Sequence, residues 1–391
     1  MEKRCPGNCL ACGKCTNQNI LDSYASLKRG FAAREGYGIA VDIGTTTVVL
    51  VLVDLTIGKV ILRHSFLNPQ RLFGPDVISR IDAANNGKLN ELCHAIRKGI
   101  SSETSKLLGA AGIQSKYVVD ISISCNTVMT YLLLGLPVQS LGVIPFKPAF
   151  NLEPPYRSSC LLDGCGIDCE IKIIPWMGAF VGGDITAGLV YLLPERKSRF
   201  MLIDLGTNGE LALFNRGELI VTATAAGPAF EQPVMDSKTA FHGASDVIRS
   251  LAYMIRSGEL SEVGKLTHEN VFTQKQVSDI QLAKSAIRSG IDILLSDMNL
   301  KTDELEAVYL AGGIGQALNV DDAITIGLIP EELKTVAFPV GNTSLAGAVE
   351  FLIMPDSAQS DSKALLTAAK EVNLAAHPRF YDCFSEYILF D

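Results

Sequence analysis

Four cysteines lie close together near the start of the 391-residue sequence, in the stretch CPGNCLACGKC. Their spacing, C-x3-C-x2-C-x2-C, is the reverse of the C-x2-C-x2-C-x3-C spacing with which bacterial ferredoxins bind their clusters. This spacing favours a [4Fe–4S] cluster, and structural zinc is the alternative because four thiolates also suit that ion. The predicted ligands are Cys5, Cys9, Cys12 and Cys15.

A second group of cysteines occurs in SSCLLDGCGIDCEI, just before the apolar run IKIIPW. Three thiols so close together are unlike a chance distribution, but the sequence shows no fourth ligand. Three interpretations stay open: structural thiols, redox-active thiols, or a second metal site that two subunits of a homodimer could share. The residues concerned are Cys160, Cys165 and Cys169.

Two further stretches have residue types suited to binding a metal-bound phosphate. Asp42-Ile43-Gly44-Thr45 and Asp204-Leu205-Gly206-Thr207 occupy matching places in the two halves of the chain. A tight turn with glycine presents backbone N–H groups that suit phosphate oxygens. An aspartate at the end of the preceding strand can hold Mg²⁺, which keeps much of its hydration shell. We therefore predict that the two turns bind a polyphosphate, with each aspartate serving the metal or the attacking water.

The elements that position these turns form an internal repeat. YGIAVDIGTTTVVLVLVDLTIGKVILRH and RFMLIDLGTNGELALFNRGELIVTATAAG each contain three β-rich runs joined by short turns. Helical segments follow each of them, such as QVSDIQLAKSAIRSGIDILLSDM, and then an apolar strand that turns into a helix, VVDISISCN or AVYLAGGIGQAL. Two copies of one βββ-α-β-α plan are the simplest explanation. They predict two similar lobes with a ligand-binding cleft between them.

The overall composition excludes several classes of protein. Hydrophobic residues make up 48% of the chain, which indicates large buried cores. The net charge of −8 argues against nucleic-acid binding, which needs a concentrated cationic surface. The longest apolar stretches are interrupted by aspartates and are too short to span a membrane. No signal peptide precedes the first cysteine, so we expect a soluble, cytoplasmic protein.

The paired turns, together with the glycine-rich stretch LAGGIG, resemble the ATPases of the actin, sugar kinase and Hsp70-like superfamily. The resemblance implies an α/β fold, a duplicated RNase H-like ATPase with two lobes, that binds ATP and Mg²⁺. It implies that Asp184 contacts Mg²⁺ or positions water, although this residue could instead cap a helix. It also implies closely crossing helices over Gly178–Gly188 and Gly341–Ala348. The implied nucleotide-binding residues are Gly44, Thr45, Thr46, Thr47, Gly206, Thr207, Asn208, Gly209, Gly227, Gly312, Gly313 and Gly315.

Several longer stretches resemble a narrower family, the reductive activators of corrinoid proteins. They are FLNPQRLFGPDVISRI, CNTVMTYLLLGLPVQSLGVIPFKP, FVGGDITAG, LIDLGTNGEL and ATAAGPAFE, in this order. Members of that family return a corrinoid methyl carrier from Co(II) to Co(I) by passing it one electron from an iron–sulfur centre, assisted by ATP. The resemblance implies two partners, a corrinoid methyl-carrier protein and a low-potential electron donor.

The chain departs from this family at two places. Many relatives have a plant-ferredoxin-like domain ahead of the ATPase region, whereas about 36 residues precede the first strand here. We therefore expect the opening cysteines to provide the electron-transfer centre. After AAGPAFE the chain is shorter than is usual in the family and lacks the Gly-Ser-Gly turn found there.

These observations predict three parts of the chain. Residues 1–36 form a cluster-binding arm with a linker helix, residues 37–190 a first ATPase lobe, and residues 191–391 a second lobe with the C-terminal segment. In the linker, Ile20, Tyr24, Leu27 and Phe31 fall close to one helical face, which predicts an amphipathic helix docked on the body.

Two other functions fit part of the sequence. Activators of 2-hydroxyacyl-CoA dehydratases also couple ATP to low-potential electrons, but they hold one cluster between two subunits with two cysteines from each. A small-molecule kinase with a structural zinc knuckle would need a substrate-facing acid in its first lobe, and none is evident. The sequence therefore favours an ATP-dependent reductive activator of a corrinoid protein.

Overall fold

The computed structural model describes residues 31, 33–162, 164–193, 197–206, 208–224, 226–227, 229–230, 241, 243–268, 271–315 and 317–390. Most of the predicted arm and linker helix, residues 1–30, lies outside them. The described chain divides into two compact units. The first contains the residues up to 193 together with Thr343–Thr367, and the second contains the residues from 197 to Asn342 and from Ala368 onward.

The predicted first meander begins a six-stranded mixed sheet in the first unit. The strands are β1 (Tyr37–Ile43), β2 (Thr47–Asp54), β3 (Lys59–Leu67), β4 (Val118–Cys125), β5 (Tyr156–Arg157) and β6 (Glu170–Ile173). Their order is β3-β2-β1-β4-β6-β5. β1, β2 and β3 are antiparallel, whereas β4 runs parallel to β1, β6 parallel to β4, and β5 antiparallel to β6. Because β2 is an interior strand, its apolar residues are buried on both faces.

The predicted second meander begins an equivalent sheet in the second unit. The strands are β7 (Arg199–Leu205), β8 (Gly209–Asn215), β9 (Glu218–Thr224), β10 (Ala307–Ala311), β11 (Ala337–Gly341) and β12 (Ala369–Glu371), in the order β11-β10-β7-β8-β9-β12. The strands β9-β8-β7-β10-β11 repeat the order and directions of β3-β2-β1-β4-β6. The predicted duplication is therefore confirmed. The additional strands differ, since β5 pairs with β6 whereas β12 pairs with β9.

Helices follow the strands in the alternation that the sequence predicts. They are α1 (Val77–Ala83), α2 (Leu89–Ala111), α3 (Thr127–Leu134), α4 (Gln139–Gly142), α5 (Ser158–Leu161), α6 (Gly183–Leu192), α7 (Ala244–Ser257), α8 (Gln274–Asp297), α9 (Gly312–Gly315), α10 (Val320–Thr325), α11 (Thr343–Ile353), α12 (Pro355–Ala368) and α13 (Phe380–Glu386). Short 3-10 turns cover Pro69–Leu72, Ser115–Tyr117, Thr302–Glu304, Glu331–Leu333 and Leu374–Ala376.

Local sequence explains where two of the predicted helices begin. Asn126 directly follows β4, and its side-chain oxygen accepts a hydrogen bond of 2.9 Å from the Met129 N–H, so the chain turns from strand into α3. Thr273 and Gln276 form a reciprocal capping box at the start of α8. Both helices lie where the periodicity of the sequence predicts them.

Helices α6 and α11 pack closely against each other in the first unit. A Cβ atom at Gly347 of α11 would lie 2.0 Å from the backbone oxygen of Ala187 in α6, so only glycine permits this approach. The close contact predicted from the small residues of these segments is confirmed, but the first helix begins at Gly183 and not at Gly178, and the second begins at Thr343. The sequence predicted a second lobe over residues 191–391. Because α11 packs on α6, Thr343–Thr367 belongs to the first unit instead.

Each unit has a hydrophobic core of its own. In the first unit, Leu50 of the sheet packs in one cluster with Ile96 of α2 and Met129 of α3. In the second unit, β8 and β10 form a cluster with α7 and α8. Within the described part of the chain, no helix has the length and apolar character that a membrane span requires.

Candidate active site

The first predicted phosphate-binding turn connects β1 to β2. Asp42 is the penultimate residue of β1, and Gly44, Thr45 and Thr46 form the turn before β2 begins at Thr47. A hydrogen bond of 3.0 Å from the Gly44 N–H to the Thr47 carbonyl closes the turn. The Asp42 carboxylate thus lies at the base of a tight glycine–threonine turn, which is the arrangement that the sequence predicts.

Two buried polar side chains hold the carbonyl groups of this turn. Asn68 donates from Nδ2 to the Gly44 carbonyl at 2.9 Å, and Arg80 donates from Nη2 to the Thr45 carbonyl at 2.6 Å. Burial lowers the pKa of Arg80 to about 10. Both side chains are almost inaccessible to solvent, so they stabilise the turn and are not available to a ligand. They belong to FLNPQRLFGPDVISRI, a stretch whose structural role was not apparent from the sequence.

Asp184 lies within electrostatic range of Asp42 because the start of α6 packs on the end of the sheet. A Cβ atom at Gly183 would lie 2.2 Å from the carbonyl oxygen of Ile174, so this approach requires glycine. The N-cap of α6 is Gly182, so Asp184 is the second helical residue and not the cap. Burial raises the pKa of Asp184 to about 7, and the charge of Asp42 adds to the rise. The two carboxylates can hold a divalent cation or accept a proton.

Two serines beside Asp42 were missed by the sequence reasoning. Ser344, near the start of α11, donates from Oγ to Asp42 Oδ1 at 2.7 Å. Ser124 of β4 pairs directly with Asp42 in the sheet, and its hydroxyl lies 2.8 Å from that of Ser344. The strand position of Ser124 could have been inferred from the repeat. No local pattern in the sequence connects Ser344 with Asp42.

Arg63 of β3 was also missed. It lies two residues from Ser65, which shares a row of the sheet with Asp42, so the arginine and the aspartate are on the same face. Burial lowers the pKa of Arg63, and the charge of Asp42 opposes this change. Its Nε is buried and has no hydrogen-bond partner among the described residues. No local pattern in the sequence connects Arg63 with Asp42, because the strand register that places them on one face is not specified by the sequence.

The second predicted turn connects β7 to β8 in the second unit. Asp204 is the penultimate residue of β7, the Gly206 N–H donates to the Asn208 carbonyl at 3.0 Å, and β8 begins at Gly209. The end of β10 brings Gly312 against this turn. Gly312 has φ of +83°, and a Cβ atom there would lie 2.3 Å from Asp204 Oδ1. The structure therefore joins the second aspartate turn to the predicted glycine-rich turn.

The other predicted glycines differ in their surroundings. A Cβ atom at Gly315 would lie 2.8 Å from the backbone of Leu310, so this glycine allows α9 to fold back on β10. Gly313 is exposed, and a Cβ atom there would meet no described residue within 4 Å. Gly227 has φ of +65°. Gly313 is thus a position at which a ligand could approach the backbone.

The thiols of the second cysteine group differ in their exposure. Cys160 is exposed on α5, whereas Cys165 and Cys169 are buried. The Cys165 thiol donates to the carbonyl of Leu162 at 2.9 Å, and burial raises the pKa of Cys169 to about 11. No group of three or more His, Cys, Asp or Glu side chains among the described residues could hold a metal ion. The four cysteines of the arm and Thr207 lie outside the described residues.

Two protein-family models match the chain. The model described as the RACo middle region matches residues 37–193. The model described as the C-terminal domain of RACo, the ASKHA domain, matches residues 198–250 and 244–390. Together they account for nearly all of the residues after the predicted arm.

Individual relatives agree with the family models. The chain is 30% identical to the corrinoid activation enzyme RamQ of Eubacterium limosum over an alignment 430 positions long, covering 90% of this chain and 70% of the relative. It is 23% identical over 388 residues to the [Co(II) methylated amine-specific corrinoid protein] reductase of Methanosarcina barkeri, covering 81% and 70%. A solved reductive activator for corrinoid, iron-sulfur protein superposes with a TM-score of 0.80 at 29% identity, covering 93% and 67%. The chain therefore belongs to the RACo family, the reductive activators of corrinoid proteins, and is an enzyme with a two-lobed ASKHA-type fold.

Proposed function

We propose that this enzyme uses ATP to reduce the inactive Co(II) state of a corrinoid methyl-carrier protein to Co(I). The electron reaches the carrier from a low-potential donor through a [4Fe–4S] cluster on Cys5, Cys9, Cys12 and Cys15. The observation that carries the proposal is the Asp42–Asp184 carboxylate pair, which lies beside a glycine–threonine turn in a member of the RACo family.

The residues around the first turn suit a magnesium nucleotide. Two carboxylates in electrostatic contact destabilise each other's charged forms, and a divalent cation relieves this repulsion. Mg²⁺ is usually held by one or two carboxylates together with substrate phosphates, and when bound it stabilises the charge of the reacting phosphates. In this proposal Asp42 and Asp184 hold the metal, either directly or through water. The backbone N–H groups of the first turn bind phosphate oxygens.

Asp184 is also suited to assist hydrolysis. A general base works best when its pKa lies near the operating pH, and burial places the pKa of this carboxyl at about 7. In this second role Asp42 holds the metal directly, and an Asp184 carboxylate oxygen, in contact with the metal only through water, orients the attacking water and takes its proton. Arg63, on the same face of the sheet as Asp42, supplies positive charge for the phosphates.

The demand for ATP follows from the reduction itself. One-electron reduction of Co(II) to Co(I) is uphill from ordinary cellular donors. Each 59 mV of unfavourable potential difference lowers the equilibrium yield of Co(I) about tenfold. ATP can assist only if it binds one conformation of the enzyme more tightly than another. We propose that the nucleotide-bound state binds the Co(II) carrier selectively and that hydrolysis returns the enzyme to its starting state.

The root of the arm is attached to the first unit at the end of the sheet opposite the Asp42 turn, since Asp120 pairs with Gly38 near the start of β1. Arg34 donates from Nη2 to Asp120 Oδ2 at 2.9 Å and to the Leu352 carbonyl at 2.6 Å. Asp120 is buried in β4 and also accepts from Lys172 at 2.6 Å. β4 and α11, which these contacts join, also carry Ser124 and the Asp42 partner Ser344. We propose that this anchor sets where the cluster-bearing arm leaves the body.

The experiment that tests the proposal replaces the arm thiols in the full-length protein. Removal of residues 1–36 would also remove the Arg34 anchor, so substitution is cleaner than truncation. The variant with serine at Cys5, Cys9, Cys12 and Cys15 should lose about four irons per chain and hydrolyse ATP as the wild type does. With a strong reductant, Mg-ATP and a Co(II)-corrinoid protein, it should form no Co(I), as followed by the visible spectrum.

The matched control is Cys160→Ser, which removes an exposed thiol outside the arm. It should retain the iron and the reduction rate of the wild type. Reduction by the four-serine variant at the wild-type rate would contradict the proposed electron path. Zinc without iron in anaerobically purified wild-type protein would contradict the cluster.

A further inference from the structure

A row of hydrogen-bonded side chains leads from β4 of the first sheet to the Asp42 carboxylate. Ser344 Oγ donates to Asp42 Oδ1 at 2.7 Å, and the hydroxyls of Ser344 and Ser124 are 2.8 Å apart. A hydroxyl has one proton, so Ser344, which gives its proton to Asp42, accepts from Ser124. The carbonyl of Gly183 is a longer alternative for Ser124, at 3.2 Å. The row therefore runs from Ser124 through Ser344 to Asp42.

Both hydroxyls occupy fixed positions. Ser124 is completely buried and Ser344 is 5% exposed, so neither can exchange its partner for bulk water. Ser344 is carried by α11, which Gly347 holds against the backbone of α6. The same helix is tied to β4 by a hydrogen bond of 2.5 Å from Ser122 Oγ to the Ala348 carbonyl. Packing thus holds α11 in place independently of the bond to Asp42.

We propose that Ser344, held in turn by Ser124, is a positioning residue that fixes the orientation of the Asp42 carboxylate for Mg-ATP. Hydrogen bonds to a carboxylate are short and about twice as strong as those between neutral groups, so one such bond can select a single orientation. Functional groups must be held within about 0.5 Å and 10–20° of their working geometry. The inference rests on the proposed function, because it assigns Asp42 to the metal nucleotide.

The sequence provides a matched control for this inference. Ser122 lies two residues before Ser124 on β4, is equally buried, and also bonds to α11, but through the Ala348 backbone and not through Asp42. Ser122→Ala removes a hydroxyl and a bond between strand and helix without touching the carboxylate. Its effect on folding should therefore resemble that of Ser344→Ala, whereas its effect on the metal nucleotide should not.

The experiment measures the binding of a non-hydrolysable ATP analogue by calorimetry, with Mg²⁺ and with EDTA, in the full-length protein. Ser344→Ala should weaken binding about tenfold with Mg²⁺, as expected for the loss of one bond to a charged group, and leave binding in EDTA unchanged. Ser124→Ala should weaken the Mg²⁺-dependent binding by a smaller factor. Ser122→Ala should stay within about twofold of the wild type in both conditions.

The possible outcomes separate this inference from the proposed function. Equal binding by Ser344→Ala and Ser122→Ala, while Asp42→Ala loses Mg²⁺-dependent binding, would overturn the positioning role and leave the proposed nucleotide site intact. An equal loss in Mg²⁺ and in EDTA would show general damage and would also overturn it. Absence of Mg-nucleotide binding by the wild type, or no effect of Asp42→Ala, would overturn both.

Discussion

The two aspartate turns have the same backbone plan but different surroundings. Asp42 and Asp204 are each the penultimate residue of the first strand of a three-stranded meander. In the parallel strand beside each meander, Asp42 is paired with Ser124, whereas Asp204 is paired with Ala311. The neighbouring strand thus places a serine hydroxyl beside Asp42. Beside Asp204 it places an alanine, which is followed in the chain by two glycines. The two copies of the repeat therefore have the same strand positions but different side chains next to the aspartate.

Helix packing extends this difference. α6 follows β6, the last of the five strands that the two units share, and it brings Asp184 to the first turn. The corresponding helix after β11 is α11, yet it packs in the first unit and brings Ser344 to Asp42. Both of these helices therefore contribute polar groups to the first turn. The polar side chains are therefore concentrated around Asp42, while the second turn lies against the backbone of Gly312.

The largest effect is expected from removing either aspartate. Asp42→Ala and Asp204→Ala should each lower the rate of ATP hydrolysis by on the order of a hundredfold, because each carboxylate serves the metal or the attacking water. Circular dichroism and thermal unfolding should show that both variants fold. If the polar groups around Asp42 act in hydrolysis and the second turn acts mainly in binding, Asp42→Ala should mainly lower kcat. Asp204→Ala should mainly raise KM. Unchanged hydrolysis in both variants would contradict the assignment.

The charge pair at the first turn predicts a smaller effect on stability. Because the pKa of Asp184 is raised from 3.8 to about 7, the folded state retains this proton over a pH range in which the unfolded state has lost it. Stability from this group is therefore full below about pH 4 and falls as the pH rises to 7, by up to about 1.4 kcal/mol per pH unit. Asp184→Asn in EDTA should remove this dependence.

The measurement is the free energy of unfolding by denaturant at several pH values for the wild type and Asp184→Asn. The two proteins should differ little near pH 4, and the variant should become the more stable one towards pH 8. Curves that remain parallel across this range would show that Asp184 is not perturbed by burial and by Asp42.

These predictions also show how much could be derived from the sequence. The meander strands were predicted correctly because continuous apolar runs such as TVVLVLVD alternate with short glycine turns, and both features are local. The long helix α8 was predicted because its helical periodicity lies within one segment. The equivalence of the turns after Asp42 and after Asp204 was predicted from their matching places in the repeat.

What could not be predicted depends on contacts between distant parts of the chain. Ser344 and Asp42 are separated by 302 residues, and only the packing of α11 on the first sheet brings them together. Arg63 reaches the same face through strand register, which the sequence does not specify. The spacing of the cysteines at 160, 165 and 169 left three interpretations open, and only the fold shows that the first is exposed and the other two are buried.

The smallest effect tests the second turn. Gly312→Ala would place a methyl group against Asp204 at a positive φ and should destabilise the protein by about 1–3 kcal/mol, with weaker nucleotide binding. Gly313→Ala is the matched control for stability, since a Cβ atom there meets nothing within 4 Å among the described residues, and it should change stability by no more than about 0.5 kcal/mol. Thermal unfolding compares the two. Equal behaviour would contradict the close packing of the second turn.

The most direct test of the central claim asks whether the nucleotide site controls electron delivery. The pre-reduced full-length enzyme is mixed with a Co(II)-corrinoid protein, with and without Mg-ATP, and Co(I) is followed in the visible spectrum for the wild type and for Asp42→Ala. Both enzymes should contain the same amount of iron. We predict that Co(I) forms only with the wild type and Mg-ATP. Formation of Co(I) at the same rate without ATP, or by Asp42→Ala, would contradict the coupling of the carboxylate site to reduction.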